Sequence, residues 1–273
     1  MKHINKQPAP SVWEAEIKKL GEAERADWGN LSAAARGALK AALLEEQGHI
    51  CCYCGARIFF NHNIRLEHLR PREHHKDLVF AYRNLLASCA GGGKDRVHMV
   101  QAGDTQEDIC STYSLSLEEL LDFNPGKDPF QLQLGEKWIV DQGGNPPETH
   151  CDKHKGDQEI SIHPLMGNCE HYFWYDSLTG EVIPRAGQGS LEAARVNAVI
   201  TTLGLNAHSL IRQRKQATLS IWAVLEVESM SIHEISQYIT ALYQIGGGAL
   251  IPYCQVIAAL LRQELIFRRR MAS

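Results

Sequence analysis

Residues 50–74 read ICCYCGARIFFNHNIRLEHLRPREH, and two pieces of chemistry lie close together in them. Cys51 and Cys54 form a Cys-x-x-Cys pair, the spacing with which one tight turn offers two thiolates to a tetrahedral zinc ion. Glu67 and His68 then end a short apolar alternation, just before a basic turn, Arg70-Pro71-Arg72. A structural metal beside an acid–imidazole pair at a strand end suggests a small catalytic module pinned by zinc.

Working outward, residues 57–60 and 64–69 are expected as the two arms of a hairpin turned at Asn61-His62-Asn63, with His68 near the end of the second arm. A polar loop with His74, His75, Lys76 and Asp77 follows, and LVFAYRNLLASC (78–89) brings Asn84 and Cys89. Then the chain changes character. GGGKDR (91–96) and DQGGNPPE (141–148) read as flexible joints. Between them Met99-Val100 reads as a strand and Gly103-Asp104-Thr105 as a turn and cap. A helix carrying Ile109, Cys110 and Tyr113 comes next. Ser116, with Glu119 three residues on, caps a second helix, Asn124-Pro125 stops it, and Trp138-Ile139-Val140 is a last strand. Immediately after the second joint stands His150-Cys151-Asp152-Lys153-His154-Lys155. Removing 92–148 places Cys89 beside Cys151, so Cys51, Cys54, Cys89 and Cys151 are expected to hold one structural zinc. Cys52 is the decoy of the set. Cys110, Cys169 and Cys254 read as core thiols.

The first 47 residues read as helical, with Ser32 as a cap, and Trp13 and Trp28 as packing residues over the next module. Residues 160–185 read as a strand, a loop and a hairpin turned at Thr179-Gly180. From Leu191 onward the pattern is helical again, and a final helix after Pro252 ends in Arg268-Arg269-Arg270.

The net charge of −4 is unevenly spread. Residues 98–140 hold eight acids and two bases, a balance of −6, which leaves about +2 for the remainder. Residues 51–91 carry six Lys/Arg, three Asp/Glu and four histidines, a centre that tolerates a polyanion. The apolar run around 248–261 is broken by Pro252 and Gln255, so no membrane span is expected. The N-terminus lacks the apolar run of a signal peptide, which makes the cytoplasm the expected location, where cysteines hold metal or fill cores.

The segment 97–140 resembles a LysM module, whose βααβ pattern it follows through GDT, the helix tyrosine, the Ser-capped second helix and the Asn-Pro stop. That family binds N-acetylglucosamine polymers, so a glycan or a protein is the partner this resemblance implies. With the insert removed, the order Cys-x-x-Cys, Glu-His, Asn, Cys, Cys resembles the HNH (ββα-metal) nuclease family. More narrowly, CCYCG, EHLRP, YRNLLASC, HCDKHKGD and ISIHPLMGNCE resemble the PtuB-type nuclease subunit of Septu and retron-associated anti-phage systems. This resemblance implies a metal-dependent endonuclease acting on DNA or RNA in defence, with a partner ATPase (PtuA-like).

The residue chemistry runs parallel to the resemblance. His68 is the expected general base, since imidazole accepts a proton near neutrality. Asn84 is expected to accept from its ring and fix its tautomer. Glu67 is a hard oxygen ligand for catalytic Mg²⁺ or Mn²⁺, with Asp152 or His154 completing the site. Arg70, Arg72 and Lys155 are candidates for phosphate contact. The expected architecture is therefore α+β. An HNH module (48–92 and 149–187) lies between an N-terminal helical segment (1–47) and a C-terminal helical region (188–273), with the LysM-like domain (97–140) inserted. The rival reading is a non-catalytic, zinc-stabilised binding or adaptor module in which Glu67-His68 is only a polar strand end.

Overall fold

A computed structural model describes residues 1–21, 28–60, 64–92, 95–113, 115–141, 148–225 and 229–271. These residues form a mixed α+β fold whose sheets are three antiparallel strand pairs. Helix α1 (Ser11–Lys19) packs on α2 (Ala33–Gln47). The expected cap of α2 is present, for Ser32 Oγ accepts from Ala35 N at 3.1 Å. Residues 1–10 are not helical; they run beside 164–175, with Ile4 N donating to Pro164 O at 2.8 Å.

Strand β1 (Ile64–His68) pairs with β2 (Leu85–Cys89), setting Glu67 opposite Leu86 and His68 opposite Leu85. Every residue of β2 is buried, because α2 covers one side of it. Gln47, at the end of α2, substitutes for a third strand. Its amide accepts from Ala87 N at 2.8 Å and donates to Ala87 O at 2.8 Å and Ile50 O at 3.0 Å. This pairing corrects the expected hairpin. Residues 57–60 form no strand; Arg57 bridges back to Ile50 and Ile58 N donates to His49 O, closing the cysteine turn on itself. Ile58 is fully buried, so this segment serves the turn, and β1 takes its partner from beyond the 69–84 loop. The expected turn at 61–63 lies outside the described residues.

The chain leaves and re-enters this unit at one place, since Gly92 bridges Thr149 and His150 N donates to Gly91 O at 2.9 Å. Between these points lie β3 (Arg96–Met99), α3 (Gln106–Tyr113), α4 (Leu117–Phe123) and β4 (Lys137–Asp141), with β3 and β4 antiparallel. This segment has its own apolar cluster of Val100, Ile109, Leu115, Leu120, Phe123, Trp138 and Val140. The Ser116–Glu119 capping box forms as read. Asn124 stops α4 and clamps β4, donating to Ile139 O at 2.7 Å and accepting from Ile139 N at 2.8 Å.

After re-entry come the short helix α5 (Cys151–Lys155), the hairpin β5 (Phe173–Tyr175) and β6 (Val182–Pro184), and helices α6 (Leu191–Thr202), α7 (His208–Leu225), α8 (Ile232–Ala241) and α9 (Cys254–Met271). Residues 160–163, expected as a strand, join no ladder. The start of α9 docks on the cysteine turn: Tyr253 N donates to Gly55 O at 2.9 Å and Gln255 Nε2 to Cys54 O at 2.8 Å. Gly55 is required there. Its φ is +84°, and a Cβ would lie 2.3 Å from the Gln255 amide. Among the described residues no helix is long and apolar enough to cross a membrane.

Candidate functional site

The four expected thiols converge from three elements: the 51–54 turn, the end of β2 and the first residue of α5. Their sulfurs all lie within 4.8 Å of one another, with Cys51–Cys151 at 3.8 Å and Cys54–Cys89 at 3.9 Å. A tetrahedron with Zn–S bonds of about 2.3 Å has edges of about 3.8 Å, so this donor set fits a structural metal such as zinc. Backbone amides face the sulfurs, Cys89 N to Cys51 Sγ at 3.4 Å and Ala56 N to Cys54 Sγ at 3.4 Å. His150 Nδ1 lies 3.2 Å from Cys151 Sγ. Cys151 itself holds a left-handed φ of +56°, with its N–H bonded to Leu203 O at 2.7 Å. A non-glycine residue in that region stores strain of roughly 1 kcal/mol or more. Cys52 stays outside the group, and burial pushes its thiol pKa up.

One turn of chain separates this cluster from the acid–imidazole pair. Tyr53, between the two cysteines, donates its hydroxyl to Glu67 Oε1 at 2.6 Å. Lys155 Nζ reaches the same oxygen at 2.8 Å and also donates to His68 O at 3.2 Å. Lys155 and Glu67 are only 1% and 2% exposed, so Lys155 is an interior counter-ion and not the phosphate contact expected of it. The Glu67 carboxyl is pushed up to about 8, first by burial and then by a hydrogen bond with Asp152, while Lys155 pulls the other way. Two acids that approach this closely hold a proton or a cation between them. Glu67 and Asp152 thus offer hard oxygen donors that suit Mg²⁺ or Mn²⁺. Asp152 also pairs with Arg65 at 3.4 Å. His154, the alternative ligand, is exposed and bonds Thr149 Oγ1 at 2.9 Å. The His150 ring faces the sulfurs, whereas that of His154 faces Thr149. Among the described residues, only the four cysteines bring three or more ligating groups together.

His68 ends β1 and is 7% exposed. Its Nε2 lies 2.9 Å from Val79 O, so the proton sits on Nε2 and Nδ1 keeps its lone pair. The Trp28 ring meets the imidazole edge-on at 4.8 Å, and burial pulls the His68 pKa down to about 4. Asn84 does not reach this ring. It accepts from Arg70 N at 2.7 Å and donates to Arg70 O at 3.0 Å and Leu78 O at 3.2 Å, stapling the 70–78 loop that leads into Val79. Arg70 pairs with Glu159, and Arg72 is exposed beside His68. Tyr53 and Val79 escaped the sequence reading, and Trp28, read there as a packing residue over this module, packs on the imidazole itself. Tyr53 alone had a signal, its place inside the Cys-x-x-Cys turn.

No protein-family model matches the chain, and comparison with curated proteins returns no match.

Proposed function

We propose that the chain is a metal-dependent endonuclease of the HNH class, hydrolysing phosphodiester bonds of DNA or RNA. The observation that carries this reading is the meeting of Glu67 and His68, at the end of β1, with Asp152, on the first turn of α5, beside the four-cysteine group. A divalent ion held by Glu67 and Asp152 would supply Lewis-acid stabilisation of charge on the phosphate. His68 Nδ1 accepts the proton of the attacking water, while the Val79 carbonyl keeps the tautomer fixed. Tyr53 and Lys155 hold the Glu67 carboxyl in place. Displacing Trp28 would uncover Nδ1 and, by restoring solvation, return the imidazole toward its ordinary basicity near 6.5. Within this reading the partner ATPase and the anti-phage setting rest on the resemblance to PtuB-type subunits, and the insert is a docking or glycan-sensing module.

A second reading has its own support. His68 is covered by Trp28, and Glu67 Oε1 is already engaged by Tyr53 and Lys155. That arrangement also suits a zinc-stabilised adaptor with no chemistry. Cleavage assays on duplex DNA, single-stranded DNA and tRNA with Mg²⁺ or Mn²⁺, alone and with the partner ATPase, separate the two. The nuclease reading expects cleavage that His68→Ala abolishes while zinc content stays unchanged. Cleavage that survives in His68→Ala, or none in any combination, sinks it.

A further inference from the structure

A second concave surface lies away from every residue of the Glu67–His68 site. It is a cleft of about 230 Å³ between the β5–β6 hairpin and α9, and Trp174, Arg185, Arg262, Arg269, His171 and Glu170 are among its lining residues. Trp174 is on β5, and Arg185 follows β6, pinned by its N–H to Tyr172 O at 3.0 Å. Arg262 and Arg269 are seven residues apart on α9, two turns along one face, or about 10 Å.

Charge accounting makes the cleft cationic. Its one acid, Glu170, is taken up by Arg262 at 3.5 Å, by the Tyr243 hydroxyl at 2.6 Å and by His3 N at 3.2 Å. Arg185 and Arg269 are exposed, and among the described residues neither has a carboxylate partner. The Arg185 guanidinium stands 5.8 Å over the Trp174 ring and that of Arg262 stands 5.6 Å over Tyr243. A guanidinium beside an aromatic ring keeps its N–H edges for phosphate oxygens. The indole supplies a flat surface of the kind on which unpaired bases stack whatever their sequence. The cleft is smaller than a drug-sized pocket, which suits a single base.

We propose that this cleft binds single-stranded nucleic acid, one base against Trp174 and neighbouring phosphates against Arg185 and Arg269. An acidic peptide would pair with the arginines alone, whereas a single strand uses both the arginines and the indole.

The test uses the full, zinc-loaded chain carrying His68→Ala, without added divalent metal, and a fluorescent oligonucleotide read by anisotropy over a salt series. Binding is expected to quench tryptophan emission. Arg185→Ala with Arg269→Ala should flatten the slope of log affinity against log salt by about 1.4, the contribution of two single-strand phosphate contacts. Trp174→Leu should weaken binding about tenfold, abolish the quenching and leave the slope unchanged, as expected for loss of one stacked base. If the affinities and slopes of both variants match those of the parent, the proposal is overturned. Competition by poly-glutamate as strong as by oligonucleotide, with Trp174→Leu silent, overturns it in favour of an acidic protein partner. Because binding is read without cleavage, an oligonucleotide that is held here but cut by no form of the protein refutes the nuclease reading alone.

Discussion

Replacing one sulfur ligand tests the framework on which both sites depend. Cys89→Ser removes the ligand on β2 and with it the tie to Cys54, 35 residues away in the chain. In the chain-entropy treatment a cross-link closing a loop of that length stabilises by about 4 kcal/mol. The Cys51–Cys151 tie spans 100 residues and corresponds to about 5 kcal/mol on the same scale. Loss of the ion releases both, about 8–9 kcal/mol, against a total stability of roughly 5–15 kcal/mol for a whole domain. The variant should therefore lose its zinc, and the β1–β2–α5 unit should unfold while the separately clustered 100–140 segment keeps its structure. Zinc is counted by elemental analysis, with one ion per chain expected in the parent protein. Unfolding in urea is followed by circular dichroism and tryptophan emission. Cys52→Ala, a neighbour that is no ligand, should keep the ion and cost about 1 kcal/mol. A parent protein purified without metal, or a Cys89→Ser variant within 1 kcal/mol of the parent, refutes the reasoning.

Three further outcomes follow from the geometry. Tyr53→Phe leaves a buried carboxyl short of one donor and should cost about 1–3 kcal/mol in urea unfolding with zinc retained; equal stability would show that the hydroxyl does not hold Glu67. His68 has its pKa lowered from 6.5 to about 4, so the unfolded chain binds a proton in that window while the folded one does not. Its contribution is present above pH 6.5 and is lost as the pH falls toward 4, a difference of up to about 3 kcal/mol. The stability gap between parent and His68→Gln should close by that amount between pH 7 and pH 4, and a gap independent of pH contradicts the burial. Arg214→Met should destabilise the zinc-loaded protein by several kcal/mol and the chelated protein by much less, and equal losses in the two forms would uncouple α7 from the metal centre.

The cysteine group was legible in the sequence because four thiols bind one ion only at a few spacings, and the glycine-rich joints showed which part of the chain to set aside. The helices and strands of residues 96–141 were legible one by one, since their caps and stops are local signals: Ser116 with Glu119, and Asn124 before Pro125. The hairpin was misread for the opposite reason. Residues 57–60 have a strand-like composition, but their partner is fixed by the cysteine turn and by Gln47, contacts that no local pattern carries. Lys155 was misplaced because an exposed and an ion-paired lysine look alike until the fold sets Glu67 beside it. Asn84 was expected to accept from the imidazole, yet its amide is used on Arg70 and Leu78. A backbone carbonyl, Val79, holds the ring, and carbonyls leave no mark in a sequence.

The C-terminal helices carry none of the motifs behind the resemblance, yet a buried cation on them faces the four-cysteine group. Four thiolates around a zinc ion carry a net charge of −2. Arg214, on α7, is 2% exposed and is bonded to Gly180 O at 2.7 Å, Leu205 O at 2.9 Å and Asn206 Oδ1 at 3.3 Å, all neutral acceptors. Burial pulls its pKa down, and Tyr175, Tyr253, Cys54 and Cys151 push it back up. A buried guanidinium with only neutral acceptors costs several kcal/mol, so an anion must lie within reach. With zinc bound, the sulfurs of Cys54 and Cys151 would supply a fixed negative charge at neutral pH. With Tyr253 and Gln255 clamped on the cysteine turn, α9 covers the four-cysteine unit and α7 sets a cation near it. A chain cut before residue 188 would therefore lose a counter-charge and a lid, and its zinc site would bind metal more weakly than the same four cysteines do in the whole protein.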